Sequence, residues 1–397
     1  MATLNQTAAR PPPTDASWLR RVGCVTTGRA DAGIYRPLLQ ALAGPKDREV
    51  LCFAGGSHFA PQFGGTINEL QDLAGVRLIR VDHAVSGDRP ADVAETAGRA
   101  VTAFGRALAE HPVDLLFVLG DRTEMLAAAL AATIHALPLA HLHGGDRTAG
   151  AYDDACRQAI TKLSHLHFPA MAEHAARIQA MGEEDWRIHA VGALALDAFR
   201  AFSPEPPETL NAAIGLDLAR PTFMVAFHPE TLAAAPADRQ IEEVLAALGR
   251  FDAQMLLIGP NADVGHSAVQ SALARFTSLR PKTVLRPALG QHRFWSCLTR
   301  AQVLVGNSSA GLLEAASFRL PVVNIGDRQS GRVRPANVLD APIERAAIAG
   351  AIELATKPSF RENLADLVNP YGDGHAAERI VAVLLRLPRR EALLTKA

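Results

Sequence analysis

Acids, imidazoles and a guanidinium crowd into one stretch of this 397-residue chain. Gly120-Asp121-Arg122 follows the apolar run LLFVL, His141, His143 and Asp146 fall in HLHGGD, and Asp153, Asp154 and Arg157 come shortly after. Packing alone gives no reason for such a concentration. Paired carboxylates beside imidazoles are what proton abstraction from a weakly acidic carbon, followed by departure of a leaving group, requires. His141, His143 and Asp146 are also donors that zinc or manganese accepts. Against a metal stands the geometry: His141 and His143 face the same way only while a strand lasts, and two glycines follow. The expectation is acid/base chemistry ahead of a metal site.

A second group of residues suits an anionic nucleotide. Gly306-Asn307-Ser308-Ser309-Ala310-Gly311 follows AQVLV and opens LLEAASF. Small residues let the backbone approach a ligand, and free helix amides with two hydroxyls suit a diphosphate. Glu314, one turn further, could accept from both hydroxyls of a ribose. Gly28-Arg29-Ala30-Asp31 follows the first apolar run, where Arg29 could meet a phosphate and Asp31 could orient it. His228 follows TFMVAF and precedes Pro229, a position from which an imidazole can donate to phosphate. Each motif alone has a plainer reading: a Ser-capped turn, a solvated Glu, a loop ion pair, a structural His.

Groups spread so widely must be brought together by a scaffold. Short β-branched or apolar runs alternate with longer helical patterns, which predicts parallel sheets covered by helices. Strands are expected at 22–26, 50–54, 78–81, 115–119, 139–142 and 167–169, then at 223–227, 254–258, 284–287, 303–305 and 322–325. The Pro-rich FSPEPP at 202–207 reads as a linker, so domains are placed at 19–203 and 208–372. Open α/β sheets bind ligands beyond the carboxyl ends of their strands, and two such domains face to face form a central cleft. The motifs sit just after predicted strands.

Composition narrows the partners. Lys and Arg total 40 against 41 Asp and Glu, a net charge of -1 that gives no drive toward nucleic acid or an acidic membrane. Four cysteines, Cys24, Cys52, Cys156 and Cys297, form no CxxC pair, which points to a reducing, cytoplasmic setting. The first 18 residues contain three consecutive prolines and no apolar core, and read as a disordered lead-in rather than a signal peptide. The longest apolar stretch, 125–142, is interrupted by His135 and Pro138 and is expected to be a buried helix running into a strand.

Taken together, the segments TTGRADAGIYRPLL, GDRTEMLAAALAA, HLHGGDRTAGAYDDACRQAITKLSHLHF, VGALALD, FHPET, GPNAD, GNSSAGLLEAASFRLPVVNIGDRQSGR and NPYGDGHAAERI resemble, in order, the hydrolysing UDP-N-acetylglucosamine 2-epimerase family. The resemblance covers nearly all of the chain after residue 20. It implies two Rossmann-like domains of the glycosyltransferase-B type, a UDP-sugar in the cleft, and a last helix, within 373–397, that crosses back to the N-terminal domain. It also implies a reaction: removal of the C2 proton, anti elimination of UDP from C1, then hydration of the 2-acetamidoglucal to free N-acetylmannosamine. It implies that neither metal nor cofactor is needed. Arg29, His228, Asn261, Ser308, Ser309, Gly311, Glu314 and Arg328 would hold UDP, with Arg122 against the phosphates or sugar. Asp121 and Asp153 match the family's acid/base residues, and His143, Asp146 and Asp154 complete the catalytic set. Relatives are commonly dimers or tetramers, so a homo-oligomer is expected.

The match departs from the family at two positions. His143 stands where relatives often carry Glu, and Asp146 stands where Glu is usual in the hydrolysing branch. An imidazole with its ordinary pKa near ~6.5 could still serve as a base. The change bears on the sugar: UDP-N-acetylglucosamine is expected first, and a UDP-2,4-diacetamido-2,4,6-trideoxyhexose of the legionaminic acid route second. Rival readings are a glycosyltransferase, a non-hydrolysing epimerase and a silent nucleotide-sugar sensor. The crowd of acids and imidazoles speaks against the first and last, and HGGD followed by GAYDD favours the hydrolysing pattern.

Overall fold

Runs of Val, Leu, Ile and Phe bounded by Gly, Asp or Pro form the strands of a computed structural model that describes residues 12–45 and 48–396, without the side chains of Arg29 and Ala30. Among the described residues there are two six-stranded sheets. The first contains β1 (Arg21–Thr26), β2 (Glu49–Gly55), β3 (Val76–Val81), β4 (Leu115–Leu119), β5 (Leu139–Leu142) and β6 (Leu166–Phe168). The second contains β7 (Thr222–Ala226), β8 (Gln254–Ile258), β9 (Thr283–Arg286), β10 (Val303–Gly306), β11 (Val322–Ile325) and β12 (Val338–Ala341). Neighbouring strands are parallel throughout. Parallel strands covered on both faces read as continuous apolar runs, and β4, β7 and β8 are buried along their whole length.

Strand order fixes where a ligand can sit. The first sheet runs β3-β2-β1-β4-β5-β6 and the second β12-β11-β10-β7-β8-β9, so each is doubly wound about a central pair. The order reverses between β1 and β4 and between β7 and β10, and the crevice at such a switch point is where this architecture binds ligands. The loops after these four strands carry Gly28, Asp121, His228 and Ser308.

The first and last described segments pack on the first domain. Ile380, Leu384, Leu387 and Leu393 are buried in the same apolar cluster as Phe53, Phe104 and Phe117. Arg187 ties the tail further, donating to the carbonyls of Leu393 at 2.7 Å and Thr395 at 2.5 Å. Of the expected disordered lead-in, residues 1–11 lie outside the described residues, and the remainder is held in place. Thr14 bridges Pro388, Asp15 N donates to Leu387 O at 2.8 Å, and Trp18 Nε1 donates to Pro388 O at 2.8 Å. Trp18 has an apolar surface to cover, which a Pro-rich reading of the segment overlooks.

The stretch 125–142 divides as expected into the helix Thr123–Ile134 and β5. One strand was not expected: β12 is half exposed at the sheet edge and lies between Pro335 and Pro342. LLEAASF also differs from a continuous helix. It makes one α-turn, Ala310–Leu313, then a 3-10 turn, Ala315–Phe318, which ends at Arg319 with φ +51°. The four cysteines are free thiols, and among the described residues no helix is long and apolar enough to cross a membrane.

Candidate functional site

The two switch points face each other across a cleft of about 250 Å³ lined by both domains. From the N-terminal side come Asp121, Arg122, His143, Asp146, Asp153 and Arg157. Across from them stand His228, Asn261, Ser308, Ser309, Glu314 and Arg328. Asp154 and Gly311, expected at the site, do not line it. Successive helix residues point about 100° apart, so a helix that aims Asp153 into the cleft turns Asp154 away. Asp154 instead accepts from Thr148 N and Gln158 Nε2, each at 2.9 Å, and so shapes the neighbouring loop. Gly311 faces β11, where a Cβ would come within 2.9 Å of Val322. The Arg29 side chain lies outside the described residues, while Asp31 caps its own helix by accepting from Thr27 N at 2.8 Å and Gly28 N at 3.1 Å.

Asp121 is the best-anchored acid. It forms an ion pair with the buried Arg157 and accepts from Thr148 Oγ1 at 2.9 Å. Burial pushes its carboxyl up, but Arg157, Arg332 and Arg328 outweigh this and hold it at about 2. Asp153 goes the other way: desolvation, with Asp121 and Asp263 nearby, pushes it up to about 7. Two carboxylates in one cleft thus differ widely in proton affinity, the condition that separates a standing charge from a proton carrier. Asp146 stays ionised because Arg332, Arg157 and His174 overcome its burial.

The two histidines of HLHGGD divide at the end of β5. His141 remains in the strand, where Nε2 meets Gly120 O at 2.8 Å and Nδ1 meets Thr161 Oγ1 at 3.1 Å, a structural role that occupies both nitrogens. His143 leaves the strand with φ +59° and reaches the cleft, where its Nε2 has no hydrogen-bond partner among the described residues. Burial lowers it to about 4, so it is a neutral imidazole at physiological pH, well below the ordinary value expected for a base poised near neutrality. No cluster of three or more His, Cys, Asp or Glu side chains able to hold a metal ion occurs among the described residues.

On the opposite side, Asn307 braces the end of β7: its Oδ1 accepts from His228 N at 2.7 Å and its Nδ2 donates to His228 O at 2.9 Å. His228 Nδ1 accepts from Asn261 N at 3.2 Å, which assigns the ring proton to Nε2 and makes that nitrogen a donor. Gly306 has φ +137°, and a Cβ there would overlap Ala226 O at 2.1 Å, so only glycine lets the serine turn lie this close to β7. Glu314 is half-buried at the base of that turn and accepts from Trp295 Nε1, while desolvation raises its carboxyl. Arg122 is half-buried at the cleft wall, and Asp263, Asp31, Glu124 and Asp153 overcome its desolvation to keep it protonated.

Residues that sequence reasoning did not place at the site include Thr148, Asp263, Gln291, Phe294 and Arg332. Asp263 and Arg332 fall inside segments that carried the family resemblance, GPNAD and GDRQSGR, so position within a motif was the available signal. For Gln291 and Phe294, on the helix Gln291–Leu298, no signal in the sequence sets them apart from an ordinary amphipathic helix.

Comparison with known proteins agrees with this geometry. Residues 40–385 match the family described as UDP-N-acetylglucosamine 2-epimerase. The chain is 32% identical over 381 residues to the UDP-N,N'-diacetylbacillosamine 2-epimerase (hydrolyzing) of Legionella pneumophila, covering 95% of this chain and 99% of that protein. It is 31% identical over 369 residues to the polysialic acid biosynthesis protein P7 of Escherichia coli, covering 92% and 94%. Among solved structures, the UDP-GlcNAc 2-epimerase of Neisseria meningitidis bound to UDP-GlcNAc superposes with a TM-score of 0.77 at 17% identity, over 92% of this chain and 99% of that one. At that identity the likeness shows the fold, two Rossmann-like domains of the glycosyltransferase-B type. With the family match spanning most of its length and two relatives above 30% identity over nearly all of it, the chain belongs to the UDP-N-acetylglucosamine 2-epimerase family.

Proposed function

We propose that the protein is a hydrolysing 2-epimerase that converts UDP-N-acetylglucosamine to UDP and free N-acetylmannosamine. The observation that carries this reading is the pair Asp121 and Asp153: both line one cleft, one fixed as a carboxylate and the other pushed up to about 7, opposite a set of hydroxyls, an imidazole donor and arginines. A carboxylate removes the proton at C2, the C–H electron pair becomes the C1–C2 double bond, and the C1–O bond breaks to release UDP. Water then adds its oxygen to C1, and C2 receives a proton on the opposite face. Asp153, near neutrality, suits a group that must both accept and return a proton.

UDP leaves as an anion, and the C-terminal domain is built to hold it. Ser308, Ser309 and the Nε2 donor of His228 would meet the diphosphate, with Asn261 and Arg328 beside it and Glu314 placed to accept from ribose hydroxyls. Arg122 and the Arg29 position complete the charge balance from the other domain. Donors fixed before the bond breaks stabilise the departing charge without reorganisation. The free thiols suit a reducing compartment.

A second reading keeps the reaction and changes the sugar to a UDP-2,4-diacetamido-2,4,6-trideoxyhexose. It is supported by the Legionella pneumophila relative and by a 29% identical Campylobacter jejuni relative, a GDP/UDP-N,N'-diacetylbacillosamine 2-epimerase (hydrolyzing). Incubation with each UDP-sugar, followed by chromatography of nucleotide and free sugar, decides between them. Release of UDP with one equivalent of free 2-epimer supports the account. Recovery of a 2-epimeric UDP-sugar without free hexosamine contradicts it.

A further inference from the structure

Arg332 belongs to the C-terminal domain, yet its guanidinium is spent on the N-terminal domain's acid loop. Its side chain is 7% exposed, and Nη2 lies 3.2 Å from Asp146 Oδ2. The same nitrogen donates to Thr148 Oγ1 at 3.2 Å, and Nε donates to Arg147 O at 2.5 Å. Thr148 passes the contact on. Its hydroxyl proton goes to Asp121 Oδ2 at 2.9 Å while its lone pairs accept from Arg332 and, at 3.0 Å, from Arg157. The hydroxyl is thereby saturated, with one fixed orientation.

The turn that delivers Arg332 is fitted to this purpose. Gly331 has φ +84°, and a Cβ there would come within 2.7 Å of Arg147 Cδ. Arg177 spans the junction, donating to Gly145 O at 3.1 Å and to Gly331 O at 3.2 Å. The contacts of Arg332 with Asp146, Arg147 and Thr148, and that of Arg177 with Gly331, exist only while the two domains are together.

We propose that Arg332 is a positioning residue that couples domain closure to the acid cluster: only with the domains together does its guanidinium complete the hold of His174 on Asp146 and of Arg157 on Thr148, and through Thr148 the contact reaches Asp121. The proposal rests on the reading that these acids carry the proton chemistry. Charge supports it. The titratable groups facing Asp121 and Asp146 are Arg157, His141, His143, Asp153, Cys156 and His174 from the first domain, with Tyr371, Arg328 and Arg332, and among the cations only Arg328 and Arg332 come from across the cleft. Opening withdraws both, and the two carboxylates then bind protons more readily.

The test compares the parent with Arg332→Gln and Arg332→Lys. Arg332→Gln is expected to lower kcat roughly 10²-fold, the scale of a small misplacement in an active site, with KM within a few-fold. The acidic limb of its kcat profile should move toward neutral pH, because the acids have lost a cation, and Arg332→Lys should return that limb toward the parent's. Turnover within about twofold of the parent, or a loss with the limb unmoved, overturns the proposal. Hydrogen exchange in the presence of UDP gives a readout independent of turnover. Faster exchange confined to residues 143–148 in Arg332→Gln supports the coupling, and identical exchange overturns it. If the parent releases UDP from neither sugar, the functional reading falls, while exchange still decides the role of Arg332.

Discussion

Asp153 and Arg157 stand one turn apart on the helix Asp153–Leu163 and act on the same acid, Asp121, with opposite sign. Arg157 pairs with it and keeps it ionised, and the charge so fixed makes ionisation of Asp153 costly. Together with the desolvation of Asp153 and the arginines from across the cleft, this turn sets two carboxylates to different proton affinities.

Asp121→Asn keeps the side chain's shape and removes its charge. Turnover should fall by roughly 10²-fold or more, the usual scale for an acid/base group, while UDP affinity stays within a few-fold. Steady-state kinetics with calorimetric titration of UDP checks both numbers. Full turnover would remove Asp121 from the mechanism.

Asp153→Asn has a consequence for stability as well as rate. A carboxyl whose folded pKa is raised favours the folded state fully below the unfolded value near ~3.9 and loses that contribution as pH rises through the folded value. With the folded value at about 7, the parent gives up stability between about pH 4 and pH 7. The variant has no such titration, so its Tm should exceed the parent's by roughly a few degrees at pH 8 and match it at pH 4. Turnover should meanwhile drop by roughly 10²-fold. Scanning calorimetry across this range checks the first claim, and a pH-independent Tm difference would contradict it.

Glu314→Ala and Ser309→Ala address the nucleotide. Each should weaken UDP binding by roughly tenfold, the worth of a hydrogen bond to a charged group. Glu314→Ala should also destabilise the fold by about 1–3 kcal/mol, because Trp295 Nε1, buried beside it, loses its acceptor. Unaltered UDP affinity in both variants would refute the assignment of this turn to the nucleotide.

Much of the architecture could be read from periodicity, because a parallel sheet buried on both faces leaves long apolar runs between turn residues. The runs at 115–119, 139–142, 254–258 and 322–325 coincide with β4, β5, β8 and β11. β12 could not be read in the same way, since an edge strand with a half-exposed face lacks that signal. The serine turn is legible in the sequence, but the contact of Glu314 with Trp295 depends on a residue 19 positions away, and the division of LLEAASF into two turns has no local signal. In the acid cluster the residue types were legible and their states were not. Nothing local in His143 tells that the strand ends one residue earlier, or that burial will keep it neutral. Arg332 escaped notice because its partners lie about half a chain away.

Elimination with release of UDP, followed by hydration, leaves an isotopic record that proton NMR of UDP-N-acetylglucosamine with the purified protein in deuterated water reads out. The account predicts free N-acetylmannosamine carrying deuterium at C2, with UDP accumulating in equal amount; the same pattern confined to the 2,4-diacetamido-trideoxy sugar would keep the chemistry and change the substrate. Released sugar that retains its C2 proton, or an epimerised sugar still attached to UDP, would contradict it.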